Sequence, residues 1–134
     1  MKRMTIEEFY DTPMNRLNAP AHLGLSQVVI NDDDTMSLIV NVTEGLMNLH
    51  GTVQAGMQYM ICDTLLGMYL IHMGRPGVGM AGDINFYRPG RKDDILTATI
   101  YPRKVGRRTG NFQAELKNQE GKMVSECMFS VMFE

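Results

Sequence analysis

A single carboxylate, Asp63, falls inside the longest apolar stretch of the chain, NLHGTVQAGMQYMICDTLLGMYLIHMG from Asn48 to Gly74. Its neighbours Met60, Ile61, Cys62, Leu65 and Leu66 seek a core. An ionised carboxylate among them is costly unless it is hydrogen-bonded or near water. One reading is structural: Asp63 binds a backbone group or an arginine, or caps a helix break. The other is chemical: a general base or nucleophile whose pKa is tuned by its setting. Upstream, Gly51, Ala55 and Gly56 mark the start of a helix. Free backbone N–H groups at a helix N-terminus stabilise a developing oxyanion. Gly56 and Asp63 are seven residues apart, about 10 Å along one helix, too far for both to serve one carbonyl. An antiparallel pairing of two such helices brings Asp63 of one chain to the Gly56 amide of the other. This chemistry then requires a dimer with two equivalent sites.

The elements that must hold these residues are legible along the chain. Its 134 residues suit one domain, 1–134, around one core. Thr5 and Glu8 fit a capping box, which predicts a short helix ending before Pro20. Leu23 to Ile30 and Met36 to Val42 alternate as strands about an Asn31–Asp34 turn. A long helix follows over Val53 to Met73, closed by Pro76-Gly77. Val78 to Tyr87, Asp94 to Tyr101, Gly110 to Leu116 and Met123 to Phe133 read as four further strands, with turns at 106–109 and 118–121. One long helix among six mostly antiparallel strands is an α+β fold. The helix is apolar nearly all round, with Val53, Met57, Ile61, Leu65 and Met68 on one side and Tyr59, Cys62, Leu66, Tyr69 and Met73 on another. Such a helix is wrapped by a curled sheet.

Composition excludes several classes. The net charge of -2 gives no electrostatic case for nucleic acid or acidic membranes. Cys62 and Cys127 read as isolated thiols in apolar settings, and His22, His50 and His72 show no metal-ligand spacing. The N-terminal MKRMTIEEFYD lacks the apolar segment of a secretory signal, and no apolar run reaches membrane-spanning length, so the cytoplasm is expected. Cys62 reads as core packing, His50 as a turn residue, and His72 as a helix C-terminal or solvent-facing residue.

The order Asn48-x5-Gln54-Ala55-Gly56-x6-Asp63 resembles the N-x5-H-G-G-x6-D/E signature of hotdog-fold acyl-CoA thioesterases of the phenylacetate-degradation (PaaI-like) group. Asn48-Leu49-His50-Gly51-Thr52-Val53 is similar to the first part of that group's turn. The stretch GDINFYRPGRKDDILTATIYPRKVGRRTGNFQAELKNQEGKMVSECMFSVMF resembles its later strands, and the resemblance runs from Leu23 onward. It implies a hotdog fold: a long helix wrapped by a curved six-stranded sheet. It implies hydrolysis of acyl-CoA thioesters without a metal or cofactor, by homodimers commonly paired into homotetramers. The roles it implies are carbonyl polarisation by the Gly56 amide, nucleophile or general base for Asp63, and positioning of water or thioester by Asn48. The turn Arg107-Arg108-Thr109 would lie close to the CoA phosphates or adenine, where arginine suits bidentate contacts.

Three positions depart from the family pattern. Gln54 replaces its histidine and can donate a hydrogen bond to the thioester carbonyl but cannot act as acid or base. Ala55 replaces the first glycine of its pair. Ala81 stands where the family often has Ser or Thr facing the nucleophile. Met57, Tyr59, Met60 and Phe86 suggest an apolar pocket for an aryl or medium-chain acyl group. Asp83 and Asn85 lie on the strand expected to pair across the dimer. A hydratase is disfavoured because no Asp-x4-His pair occurs. The rival from another class is a non-catalytic acyl-CoA-binding or sensor protein, which Gln54 and Ala81 favour and the retained Asn48, Gly56 and Asp63 oppose.

Overall fold

The computed structural model describes residues 1–13, 16–17 and 24–134. The expected run of the first helix toward Pro20, the strand start at Leu23, and His22 lie outside the described residues. The elements are β1 (Lys2–Met4), α1 (Ile6–Tyr10), β2 (Leu25–Ile30), β3 (Met36–Asn41), α2 (Ala55–Met73), β4 (Gly77–Phe86), β5 (Ile95–Val105), β6 (Thr109–Lys117) and β7 (Met123–Phe133), with a 3-10 turn at Glu44–Leu46. Seven strands form one sheet in the order β1-β2-β3-β5-β6-β7-β4, and every neighbouring pair is antiparallel. The expected strand count of six is corrected by β1, a three-residue strand that pairs Lys2–Met4 with Val28–Ile30. One long helix against this antiparallel sheet is the hotdog arrangement.

Local chemistry accounts for the boundaries. The Thr5–Glu8 capping box forms: the Glu8 amide donates to Thr5 Oγ1 at 3.1 Å and the Thr5 amide to Glu8 Oε1 at 3.3 Å. The Asn31–Asp34 turn closes the first hairpin, with Asp34 in the left-handed region at φ 66. β5 continues past Tyr101 to Val105, with a register shift between Pro102 and Lys104 where the proline cannot donate to the ladder. α2 ends at Gly74, whose φ of 69 lets its N–H return to the Leu70 and Ile71 carbonyls. Arg75 then clamps the turn after β5. Its guanidinium donates to the Gly106 and Arg107 carbonyls at 3.0 and 2.9 Å and stacks on Phe133.

The core lies between the concave face of the sheet and one side of α2. Gln58, Ile61, Cys62, Leu65 and Tyr69 face it at helical spacing, against Leu38, Ala98, Ile100, Phe112 and Leu116. The wrapping is incomplete. Gly56, Asp63, Gly67 and Ile71 form an exposed stripe along α2. β4 is the free edge of the sheet and is exposed along most of its length, including Val78, Met80 and Phe86.

Candidate active site

The turn before α2 is built by Asn48. Its Oδ1 accepts the His50 and Thr52 amides at 2.9 and 3.1 Å, and its Nδ2 donates to Thr52 Oγ1 at 3.0 Å. Gly51 takes the positive φ of 79 that the turn needs. Val53 and Gln54 are anchored through their amides to the carbonyls of Gly90 and Leu46. The side chain of Asn48 is thus largely committed to its own loop, leaving one N–H of its amide.

Gln54 is the N-cap of α2, exposed, and makes no side-chain capping bond. The Met57 and Gln58 amides return to its carbonyl at 3.0 and 3.2 Å. The Ala55 and Gly56 amides have no partner among the described residues. Ala55 adopts helical backbone, so replacing the family glycine there carries no positive-φ strain. A Cβ at Gly56 would meet nothing within 4 Å. Two unsatisfied donors therefore point out of the helix at an unobstructed position, where the helix dipole adds partial positive charge.

Asp63 corrects the expectation of a buried carboxylate. It lies on the exposed stripe and makes no hydrogen bond or ion pair with any described residue. Neither structural role, binding a backbone group or an arginine, is present. The protein around it still strips enough water to raise its carboxyl above the ordinary value. Tyr59, one turn earlier, has its hydroxyl raised by burial and then by the Asp63 charge. That hydroxyl lies over Gly82 of β4, where a Cβ would come within 2.2 Å of it, and the ring packs edge-on to Phe129 at 5.7 Å.

Cys62, next to Asp63, is no nucleophile. It is hydrogen-bonded to Cys127 and buried, which together hold its thiol well above the ordinary value. The two cysteines are neighbours across α2 and β7, which corrects their reading as isolated thiols. His72 lies in the last turn of α2, as expected, and its Nε2 meets Asp34 Oδ1 at 2.9 Å.

The remaining candidates do not form one cluster within the chain. A cleft of about 360 Å³ between the start of α2 and the end of β4 is lined by Asn48, Ala55, Gln58, Phe86 and Arg88. A wider hollow of about 700 Å³ lies across the Asn48 turn, against His50, Gln54 and Lys92. Asp63 lines neither. Met57 and Met60 are half-buried on the first turns of α2. Arg107, Arg108 and Thr109 are exposed beside the C-terminal end of α2, tied there by Arg75. The helix spans 19 residues, about 28 Å, so that turn and Gly56 sit at opposite ends of one protomer. Ala81 pairs with Ser130, whose hydroxyl takes the Asn111 amide on the outward side of the sheet. This register turns Ala81 away from α2 rather than toward the carboxylate. Sequence reasoning passed over Gln58 and Gly82. A polar residue at a core position of the helical repeat was the available signal for Gln58.

A curved antiparallel sheet on one long helix, with free amides at the helix start and a lone carboxylate on its open stripe, defines a hotdog-fold hydrolase site. The sequence profile of the thioesterase superfamily matches residues 50–125. The chain is 32% identical over 103 residues to the acyl-coenzyme A thioesterase PaaI of Escherichia coli K12, covering 77% of this chain and 73% of that protein. The solved structure of E. coli PaaI, from the phenylacetic acid degradation operon, superposes with a TM-score of 0.80 at 27% identity, covering 90% of this chain and 86% of that one. A hypothetical thioesterase protein from Streptococcus pneumoniae TIGR4, solved with coenzyme A, matches with a TM-score of 0.72 at 27% identity over 74% of this chain and 80% of that one. This chain belongs to the thioesterase superfamily and is a thioester hydrolase. Among the described residues no helix is long and apolar enough to cross a membrane.

Proposed function

We propose that this protein hydrolyses the thioester of an acyl-CoA bearing an aryl or medium-chain acyl group, at the interface of a homodimer. The observation that carries the reading is the open stripe of α2. Unpaired Ala55 and Gly56 amides and an unpartnered Asp63 share it, with glycine at positions 56 and 67 keeping it low. Two copies of α2 meeting antiparallel along this stripe set Asp63 of one protomer opposite the Gly56 amide of its partner. The thioester carbonyl oxygen accepts from the Gly56 N–H, which stabilises the charge it gains as the carbon becomes tetrahedral. Asp63 attacks that carbon, or takes a proton from the water that does. The C–S bond then breaks and CoA leaves as its thiolate; where Asp63 is the nucleophile, water next hydrolyses the Asp63–acyl anhydride, releasing the acid and restoring the carboxylate. Gln54, free at the helix start, donates to the carbonyl, and the remaining Asn48 N–H orients water or ester.

The same pairing accounts for the distant arginines. If position 56 faces position 63, the C-terminal turns of each helix extend past the start of the other. Arg107, Arg108 and Thr109 then arrive beside the partner's Asn48 turn, where they meet the CoA phosphates. Met57, Tyr59, Met60 and Phe86 supply apolar surface for the acyl group. Two buried free thiols suit a reducing cytoplasm.

The test is thiol release from a panel of aryl, short-chain and medium-chain acyl-CoAs, with Asp63→Ala alongside. Turnover by the parent that a folded, assembled variant loses supports the reading and reveals the acyl class. Equal turnover by the variant removes Asp63 from the mechanism.

A further inference from the structure

The turn between β5 and β6 is closed by a residue from outside it. The Gly106 amide donates to the Thr109 carbonyl at 2.9 Å, but among the described residues no bond from the Thr109 amide to the Gly106 carbonyl completes the turn. Arg107 and Arg108 form its tip, and neither takes the positive φ on which the favoured two-residue hairpin turns depend. Arg75 supplies the missing donors. Its Nη1 donates to the Gly106 carbonyl at 3.0 Å and its Nη2 to the Arg107 carbonyl at 2.9 Å. The Arg108 carbonyl accepts the Phe133 amide at 2.8 Å. Three successive carbonyls of the turn are thus occupied, while the Arg107 and Arg108 side chains stay exposed and make no hydrogen bond or ion pair with any described residue. Arg75 itself is held from two sides. Its amide closes the end of α2 on the Leu70 carbonyl at 3.0 Å, and its guanidinium lies 3.9 Å over the Phe133 ring. The clamp therefore springs from the helix that carries Asp63, which stands ten residues before the end of α2 at Met73, a rise of about 15 Å.

We propose that Arg75 is a positioning residue for the CoA phosphates: it fixes the shape in which the Arg107–Arg108 tip presents its guanidinium groups, at a set distance from Asp63. The proposal rests on the acyl-CoA reading above. Arg75 spends two N–H groups on carbonyls and one face on a ring, so it acts through the tip and not on the ligand. Lysine is no substitute, because an ammonium neither forks to two carbonyls in one plane nor lies flat on an aromatic face. Without the clamp the tip samples other shapes. An anchor that is competent for about a tenth of the time binds about tenfold more weakly.

The test carries one acyl group on CoA and on pantetheine, which keeps the thioester and lacks every phosphate. The parent is expected to show a KM at least about tenfold lower for the CoA ester. Arg75→Ala and Arg75→Lys are each expected to raise that KM by about tenfold, with kcat within about twofold of the parent and the pantetheine ester unaffected. In an Arg107→Ala/Arg108→Ala background the same change should add less than about twofold. Equal losses on both esters, or full additivity with the tip substitutions, overturn the proposal in favour of a general structural role or a direct phosphate contact. Loss of fold in both Arg75 variants overturns it as well, since Arg75 then holds the domain and not the tip. A parent that prefers the CoA ester while both variants keep its KM overturns this assignment alone. A parent that handles the two esters equally removes the phosphates from the tip, and Arg75 with them. No turnover by the parent on any CoA ester overturns the acyl-CoA reading, and this assignment with it.

Discussion

Gly56→Ala separates the fold from the chemistry. A methyl group built at Gly56 meets nothing within 4 Å of the same chain, and the backbone there is ordinary helix. Alanine in place of glycine favours a helix by about 0.5–1 kcal/mol. For 134 residues, an unfolding entropy of about 2.1 cal/mol/K per residue converts that gain to a Tm rise of about 2–4 °C. The added methyl also stands beside the amide that the thioester carbonyl must approach to about 3 Å. Losing one oxyanion donor typically lowers kcat by about 10²–10³. The variant should therefore melt slightly above the parent while losing most of its turnover. Thermal melts by circular dichroism, sedimentation velocity and thiol release read the three quantities separately. The reasoning is refuted by a variant that keeps both its assembly and its kcat. A variant that dissociates into folded protomers would place Gly56 in the helix–helix contact rather than at the carbonyl.

Two further expectations follow from named contacts. Because partial burial raises the Asp63 carboxyl, the acid limb of kcat/KM should lie above the ordinary carboxylate range, and Asp63→Asn should remove turnover at every pH. A raised folded pKa means that the stabilising contribution is fully present below the unfolded pKa and is lost as pH rises through the folded one. The asparagine variant should thus melt no lower than the parent at neutral pH, and any gap should close in acid; a gap that widens in acid would contradict the raised pKa. Gly82→Ala puts a Cβ 2.2 Å from the Tyr59 hydroxyl and 3.2 Å from the Phe129 ring, an overpacking that costs about 1–3 kcal/mol. Adding Tyr59→Phe should recover part of it, and additive losses in the double-mutant cycle would show that the two groups do not meet.

The long helix, its glycine stop and the strands with strict two-residue alternation were legible because each carries its own local signal. β6 and β7 alternate buried and exposed residues along nearly their whole length. β1 was not legible: Lys2–Met4 has neither length nor alternation and is a strand only because β2 offers it an edge. The open stripe of α2 was missed for a different reason. Glycine and isoleucine on that stripe read as apolar whether they face the sheet or a partner, so hydropathy made the helix look wrapped on every side. The Cys62–Cys127 contact joins residues far apart in the chain, and no local pattern announces it. The motif singled out Asn48, Gly56 and Asp63 by their spacing alone. It could not show that Asn48 spends its amide on its own turn, or that Arg107 and Arg108 stand at the opposite end of the helix from Gly56.

The two edges of the sheet are guarded very differently. β1 presents three residues, two of them Lys2 and Arg3. β4 presents ten, with Asp83 as its one charge. Long, sparsely charged edges recruit other strands, whereas short basic ones repel them. A protomer on its own is therefore the sticky species, and in the proposed homodimer a second β4 would cover that edge. Dilution, usually the safe condition for a protein in storage, is the hazardous one here. When an edge is satisfied only by association, the thermal midpoint climbs with protein concentration. Loss of material on dilution, rather than on concentration, is the handling signature this edge predicts.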